Sequence, residues 1–137
     1  MDYISKSADE TIKIGVQIGE SINEPCVIAL RGGLGAGKTC ITSGIAKGLG
    51  YNGETNSPTF SIVNEYKGGR LPIYHFDMYR IATWDDLEGV GFFDYLDTGV
   101  LIIEWSENIE NALPKDTQVI TLTVIDENTR EIKRGVL

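Results

Sequence analysis

The sequence predicts an α/β fold: a mixed central sheet flanked by helices, in one domain. Short apolar runs at 26–30 (CVIAL) and 100–103 (VLII) suit strands in the parallel middle of a sheet, covered on both faces. Ile14, Ile18 and Ile22 recur every four residues, as do Ile41, Ile45 and Leu49, so each set lies on one face of a helix. The C-terminal tail instead alternates through Ile120, Leu122 and Val124, the period of a half-buried strand.

Taken in order, Ser7 and Glu10 have capping-box spacing and open a first helix over 8–22. Glu24-Pro25 then leads into the strand at 26–30. A glycine-rich turn follows, and a second helix starts near Lys38, with Gly50 placed to end it. Extended runs at 60–66 and 71–77 are joined by Lys67-Gly68-Gly69-Arg70, which reads as a hairpin turn. The stretch 83–96 is acidic and loosely helical. After the strand at 100–103, the tail turns at 126–129 and returns through Ile132. No repeat, linker or low-complexity segment divides the chain, so residues 1–137 are expected to form a single domain.

The turn after the first apolar run is the most informative stretch. Gly32, four residues, Gly37, Lys38 and Thr39 match G-x-x-x-x-G-K-[ST] in full, between a strand and a helix. Without Cβ atoms such a loop can curl its amides inward into a concave anion site. The helix that follows adds unpaired amides and the positive end of its dipole. In this pattern the lysine reaches the β- and γ-phosphates and the Thr39 hydroxyl ligates Mg²⁺. The fold is therefore expected to be a P-loop NTPase domain.

Composition narrows the class further. Twelve basic against twenty acidic residues leave a net charge of −8, with no Lys/Arg cluster. Such a surface disfavours strong direct binding of RNA or DNA by the chain alone, and of anionic membrane. No apolar stretch approaches a membrane span, and the N-terminal MDYISKSADE lacks the basic and apolar regions of a signal peptide. Cys26 and Cys40 have no metal-ligand spacing and read as free thiols in a reducing cytoplasm.

Hydrolysis or transfer needs an acidic strand end beside the phosphate loop. Leu101-Ile102-Ile103-Glu104 supplies one, with Glu where a Walker B strand usually has Asp; its carboxylate can hold Mg²⁺ or one of its waters. Asp77 ends the other extended run and can orient the attacking water or hold the metal's outer shell, or simply cap a turn. His75, the chain's single histidine, sits among aromatics and reads as a packed residue, with a base as the alternative. Arg80 has two open roles, a phosphate contact or a partner for the acidic segment after it. Ser57-Pro58-Thr59-Phe60 lies where P-loop proteins often place a nucleotide-sensing loop, with Thr59 facing the metal. Trp105 should lie near the nucleotide if Glu104 does.

With these pieces in order, the chain resembles the TsaE family (also called YjeE or YdiB), bacterial ATPases of tRNA threonylcarbamoyladenosine synthesis. The resemblance rests on GLGAGKT, SPTFSIVNEY, IYHFDMYR and IIEW, together with the helix carrying Thr11 and Gly15. It implies that Gly32, Gly33, Leu34, Gly35, Ala36, Gly37, Lys38, Thr39 and Cys40 surround ATP or ADP, with Thr11, Thr59 and Trp105 also at the nucleotide. It gives Thr39 and Glu104 to Mg²⁺, and Asp77, Glu104 and Lys38 to catalysis. The family usually has an acidic residue where this chain has Gly33. TsaD and TsaB are the implied partners, handling the modification on the anticodon-loop adenosine while this chain supplies ATP hydrolysis, slow without them. The family's C-terminal segment is variable, so residues beyond about 115 inherit no role.

Two other readings compete. A small-molecule kinase also needs a P-loop and an acidic strand end, but usually adds an arginine-bearing lid, and the arginines here are scattered. A nucleotide-dependent binding module with negligible turnover is the other. A GTPase is disfavoured, because no N-K-x-D reads guanine.

Overall fold

The computed structural model describes residues 2–33, 35–56 and 62–137. Along the chain run β1 (Asp2–Ser5), α1 (Ala8–Glu20), β2 (Cys26–Arg31), α2 (Lys38–Gly48), β3 (Val63–Tyr66), β4 (Ile73–Asp77), α3 (Trp84–Gly89), α4 (Phe92–Tyr95), β5 (Val100–Glu104), a 3₁₀ helix (Ser106–Ala112), β6 (Gln118–Val124) and β7 (Arg130–Val136). The strands form one seven-stranded sheet in the order β1-β7-β6-β2-β5-β4-β3. Its middle is parallel: β2 pairs with β5 and β6, and β4 with β5. Both flanks are antiparallel, β6–β7–β1 on one side and β4–β3 on the other. The fold is the α/β mixed sheet with flanking helices that the sequence predicts.

The two apolar runs occupy the centre because both of their faces are covered. Ile28, Leu30 and Ile102 point towards α1 and α2 and pack with Ile18, Ile41, Ile45 and Leu49. The alternate residues Val27, Ala29, Leu101 and Ile103 point the other way, onto Phe76, Met78, Leu87 and Phe92. Among the described residues, no helix is long and apolar enough to cross a membrane.

Helices α1 and α2 touch backbone to backbone. A Cβ on Gly44 would lie 2.2 Å from the Ile12 carbonyl oxygen, and one on Gly15 2.6 Å from that of Ile41. This approach fixes α2, and with it Lys38 at its first position. An alanine would gain roughly 0.5–1 kcal/mol of backbone entropy, but the clash outweighs it. Gly44→Ala is expected to destabilise the fold by about 1–3 kcal/mol, read as a lowered Tm in thermal unfolding. An unchanged Tm would show that the helices are not in contact there.

Several boundaries differ from expectation. The first helix ends at Glu20, two residues short of 22. Ser7 caps it by accepting from the Glu10 amide, but Glu10 Oε1 accepts from the Lys6 amide rather than returning to Ser7. The acidic stretch divides into α3, with a full Thr83/Asp86 capping box, and α4, which starts after Gly91 at φ 75°. The edge strand β1 and the 3₁₀ helix were not expected. Residues 60 and 61, at the start of the run placed at 60–66, lie outside the described residues.

Candidate functional site

Parallel strands β2, β4 and β5 all end at the same edge of the sheet, where open α/β sheets place their ligands. The glycine loop leaves β2 there. Gly35 and Gly37 take φ of 75° and 101°, the left-handed region that glycine enters without strain. Gly37 is the N-cap of α2 and no side chain caps that helix, so its first-turn amides are not closed off by a local acceptor. In parallel register, Asp77 at the end of β4 stands opposite Glu104 at the end of β5.

A cleft of about 860 Å³ joins these parts, lined by Gly32, Gly33, Gly35, Ala36, Gly37, Lys38, Thr39, Cys40, Asp77, Tyr79, Glu104 and Trp105. Lys38 Nζ lies 3.9 Å from Glu104 Oε1 and 5.7 Å from the centre of the Trp105 ring. Both side chains of that ion pair are largely buried, so the charges interact through little solvent. Trp105 has φ 59°, a left-handed conformation that costs a non-glycine residue about 1–3 kcal/mol and that collects at functional sites. This backbone turn directs its half-exposed ring against Tyr79, centroid to centroid 4.9 Å. Asp77 Oδ1 accepts from the Tyr79 amide at 2.9 Å, which fixes the carboxylate at the strand end.

His75 is packed, as expected, being 1% exposed. Its partners were not expected: Nε2 lies 2.6 Å from Glu104 Oε2, and Nδ1 3.1 Å from the Tyr66 hydroxyl. Arg80 is exposed, one residue beyond Tyr79. Thr11 is buried, and its hydroxyl bonds Ser5 Oγ at 2.7 Å and the Ser7 carbonyl at 3.3 Å. It lines a second hollow of about 230 Å³ that shares Gly35, Gly37 and Cys40 with the main cleft. Leu34, Thr59 and the rest of Ser57-Pro58-Thr59-Phe60 lie outside the described residues.

Sequence reasoning missed the contribution of the C-terminal hairpin. Arg130 Nη2 and Nε donate to the Gly35 carbonyl at 3.0 and 3.3 Å, tying β7 to the glycine loop. On the adjacent strand, the Leu122 carbonyl is so near Gly32 that a Cβ there would lie 2.7 Å from it. Among the described residues, no atom lies within 4 Å of where a Cβ on Gly33 would stand. Both cysteines are free. Burial pushes the Cys26 thiol up to about 11, which keeps it protonated and inert.

Residues 5–132 match the family model for the threonylcarbamoyl adenosine biosynthesis protein TsaE. The chain is 41% identical to a tRNA threonylcarbamoyladenosine biosynthesis protein TsaE of Treponema pallidum, over 96% of this chain and 98% of that one. It is 37% identical to a protein of the same name from Nostoc, over 90% of this chain and 78% of the relative. Its fold is similar to that of the crystal structure of YdiB from Bacillus subtilis, with a TM-score of 0.75 and 34% identity over 96% of this chain and 82% of that one. With its glycine loop, acidic strand ends and sheet order in place, the chain belongs to the TsaE family of threonylcarbamoyl adenosine biosynthesis proteins.

Proposed function

We propose that the cleft binds ATP with Mg²⁺ and hydrolyses it in support of tRNA threonylcarbamoyladenosine synthesis, in company with TsaD and TsaB. One observation carries the reading: the uncapped start of α2, Lys38, Thr39 and two strand-end carboxylates converge on one cleft. The loop amides and Lys38 bind the phosphates. Thr39 and Glu104 are the residues that would hold Mg²⁺. Their hydroxyl and carboxylate oxygens are hard donors, and an ion that keeps several waters needs no full protein cage. Among the described residues, no group of three His, Cys, Asp or Glu side chains offers such a cage. When bound, Mg²⁺ would offset charge on the phosphate oxygens. Asp77 orients the attacking water and receives its proton through the carboxylate oxygen not bonded to Tyr79. The hollow beside Thr11 adjoins the cleft at Gly35, Gly37 and Cys40, and the remainder of the nucleotide is assigned to it.

Three of the five arginines give a kinase little to use. Arg31 bonds Glu110, Arg70 bonds the carbonyls of Gly19, Ile22 and Gly48, and Arg130 bonds Gly35, so each is engaged by the protein itself. Phosphate release from ATP, measured without an acceptor and with or without TsaD and TsaB, tests the proposal. ADP and free phosphate in equal amounts, formed faster with the partners, is the expected result. Phosphate release that remains absent with both partners present would overturn it.

A further inference from the structure

Glu104 is held by a residue to which the proposed hydrolysis gives no part. His75 lies on β4 beside Ile102 of β5, and its ring is sealed from solvent. An ionised carboxylate can only accept, so in the 2.6 Å contact Nε2 carries the proton and donates to Glu104 Oε2. On the far side of the ring, Nδ1 meets the Tyr66 hydroxyl, which is itself 2.7 Å from the Asn56 carbonyl oxygen. The Nε2 bond and the close packing of the sealed ring keep it on Glu104, with the Tyr66 hydroxyl against its far edge. Oε2 is committed to the interior, and Oε1 is the oxygen on the Lys38 side.

We propose that His75 is a positioning residue that restricts Glu104 to offering one carboxylate oxygen to the cleft, and thereby favours Mg²⁺ over Ca²⁺. The inference rests on the metal–nucleotide reading above. Mg²⁺ demands near-ideal octahedral geometry and takes few protein oxygens, whereas Ca²⁺ accepts more ligands and readily takes both oxygens of one carboxylate. A glutamate free to rotate would serve the larger ion better. A histidine present only to satisfy a buried carboxylate would affect stability but not the choice of ion.

Because His75 is the chain's only histidine, ¹⁵N labelling of the imidazole gives a single pair of ring signals. The Nε2-bound proton is expected in the protein alone and, unchanged, after saturation with ADP and Mg²⁺. Its loss on adding Mg²⁺ and ADP would mean that Oε2 turns into the cleft, and would overturn the proposal. A second arm measures ADP affinity in Mg²⁺ and in Ca²⁺ for the wild type, His75→Leu and His75→Gln. His75→Leu is expected to lose about ten-fold of the Mg²⁺-over-Ca²⁺ preference, the scale usual when a ligand's supporting hydrogen bond is removed. His75→Gln keeps an N–H donor and should recover part of it. A folded His75→Leu with the wild-type preference overturns this inference alone. Wild-type protein that binds ADP identically with and without either ion overturns the metal reading as well. Should His75→Leu not fold, the wild-type ring signals decide.

Discussion

Lys38→Ala is expected to bind ATP about ten- to a hundred-fold more weakly than the wild type, since each lost charge-assisted contact costs roughly 1.5–3 kcal/mol. The effect should fall on binding itself, because in the proposed role Lys38 would meet the phosphates in the ground state as well as during hydrolysis. In the structure its ammonium leans on Glu104 Oε1 at 3.9 Å and lies over the Trp105 ring. A polyphosphate entering the cleft competes for that cation and draws it from both. Trp105 fluorescence should therefore change when the wild type binds ATP, and the variant should lose that part of the response. The substitution also leaves Glu104 facing an anionic ligand with no cation between them. Calorimetry with a non-hydrolysable ATP analogue checks the affinity; a value equal to the wild type would mean that the phosphates do not reach Lys38.

Asp77→Ala should separate the other way, retaining affinity for the analogue while turnover in the presence of partners falls about 10²–10⁴-fold, the usual contribution of a positioned acid or base. A carboxylate makes no favourable ground-state contact with a polyanion, so its benefit arises as water attacks. The bond from the Tyr79 amide supplies a competing explanation, since Asp77 also caps the end of β4. Asp77→Asn distinguishes the two. Its carbonyl oxygen can still accept from Tyr79 but cannot take up a proton from water. Both variants should be slow if Asp77 is catalytic. Normal turnover in Asp77→Ala would reduce it to a turn cap and move the role to Glu104 first. Glu104→Ala should lie between Lys38 and Asp77 in its effects, with an altered Mg²⁺ requirement.

The parts of this site that could be read in the sequence are those whose chemistry is local. The loop from Gly32 to Thr39 is a complete motif because the atoms that cradle phosphate are consecutive amides, and Glu104 stands out because a fully apolar run announces a central strand. Helices α1 and α2 show themselves through isoleucine spacing, whereas the stretch from 83 reads only as acidic and loosely helical, and its Thr83/Asp86 cap comes from the structure. What remained hidden depends on distant pairing. Arg130 reaches Gly35 across 95 residues and His75 reaches Glu104 across 29, and neither contact leaves a period or a spacing behind. The short edge strand β1 has one buried residue in four, too little pattern to detect. Likewise, Gly15 and Gly44 look like ordinary helix weaknesses until two backbones are seen to meet there. Periodicity reveals which face of an element is buried but not what it is buried against.

The central claim, that this cleft is an adenine-nucleotide phosphate site, is tested most directly by calorimetric titration of the wild-type chain with ATP and with GTP in the presence of Mg²⁺. The account predicts binding at a single site, tighter for ATP than for GTP and abolished or strongly weakened in Lys38→Ala. No heat of binding for ATP, or affinity for GTP equal to or greater than that for ATP, would contradict it.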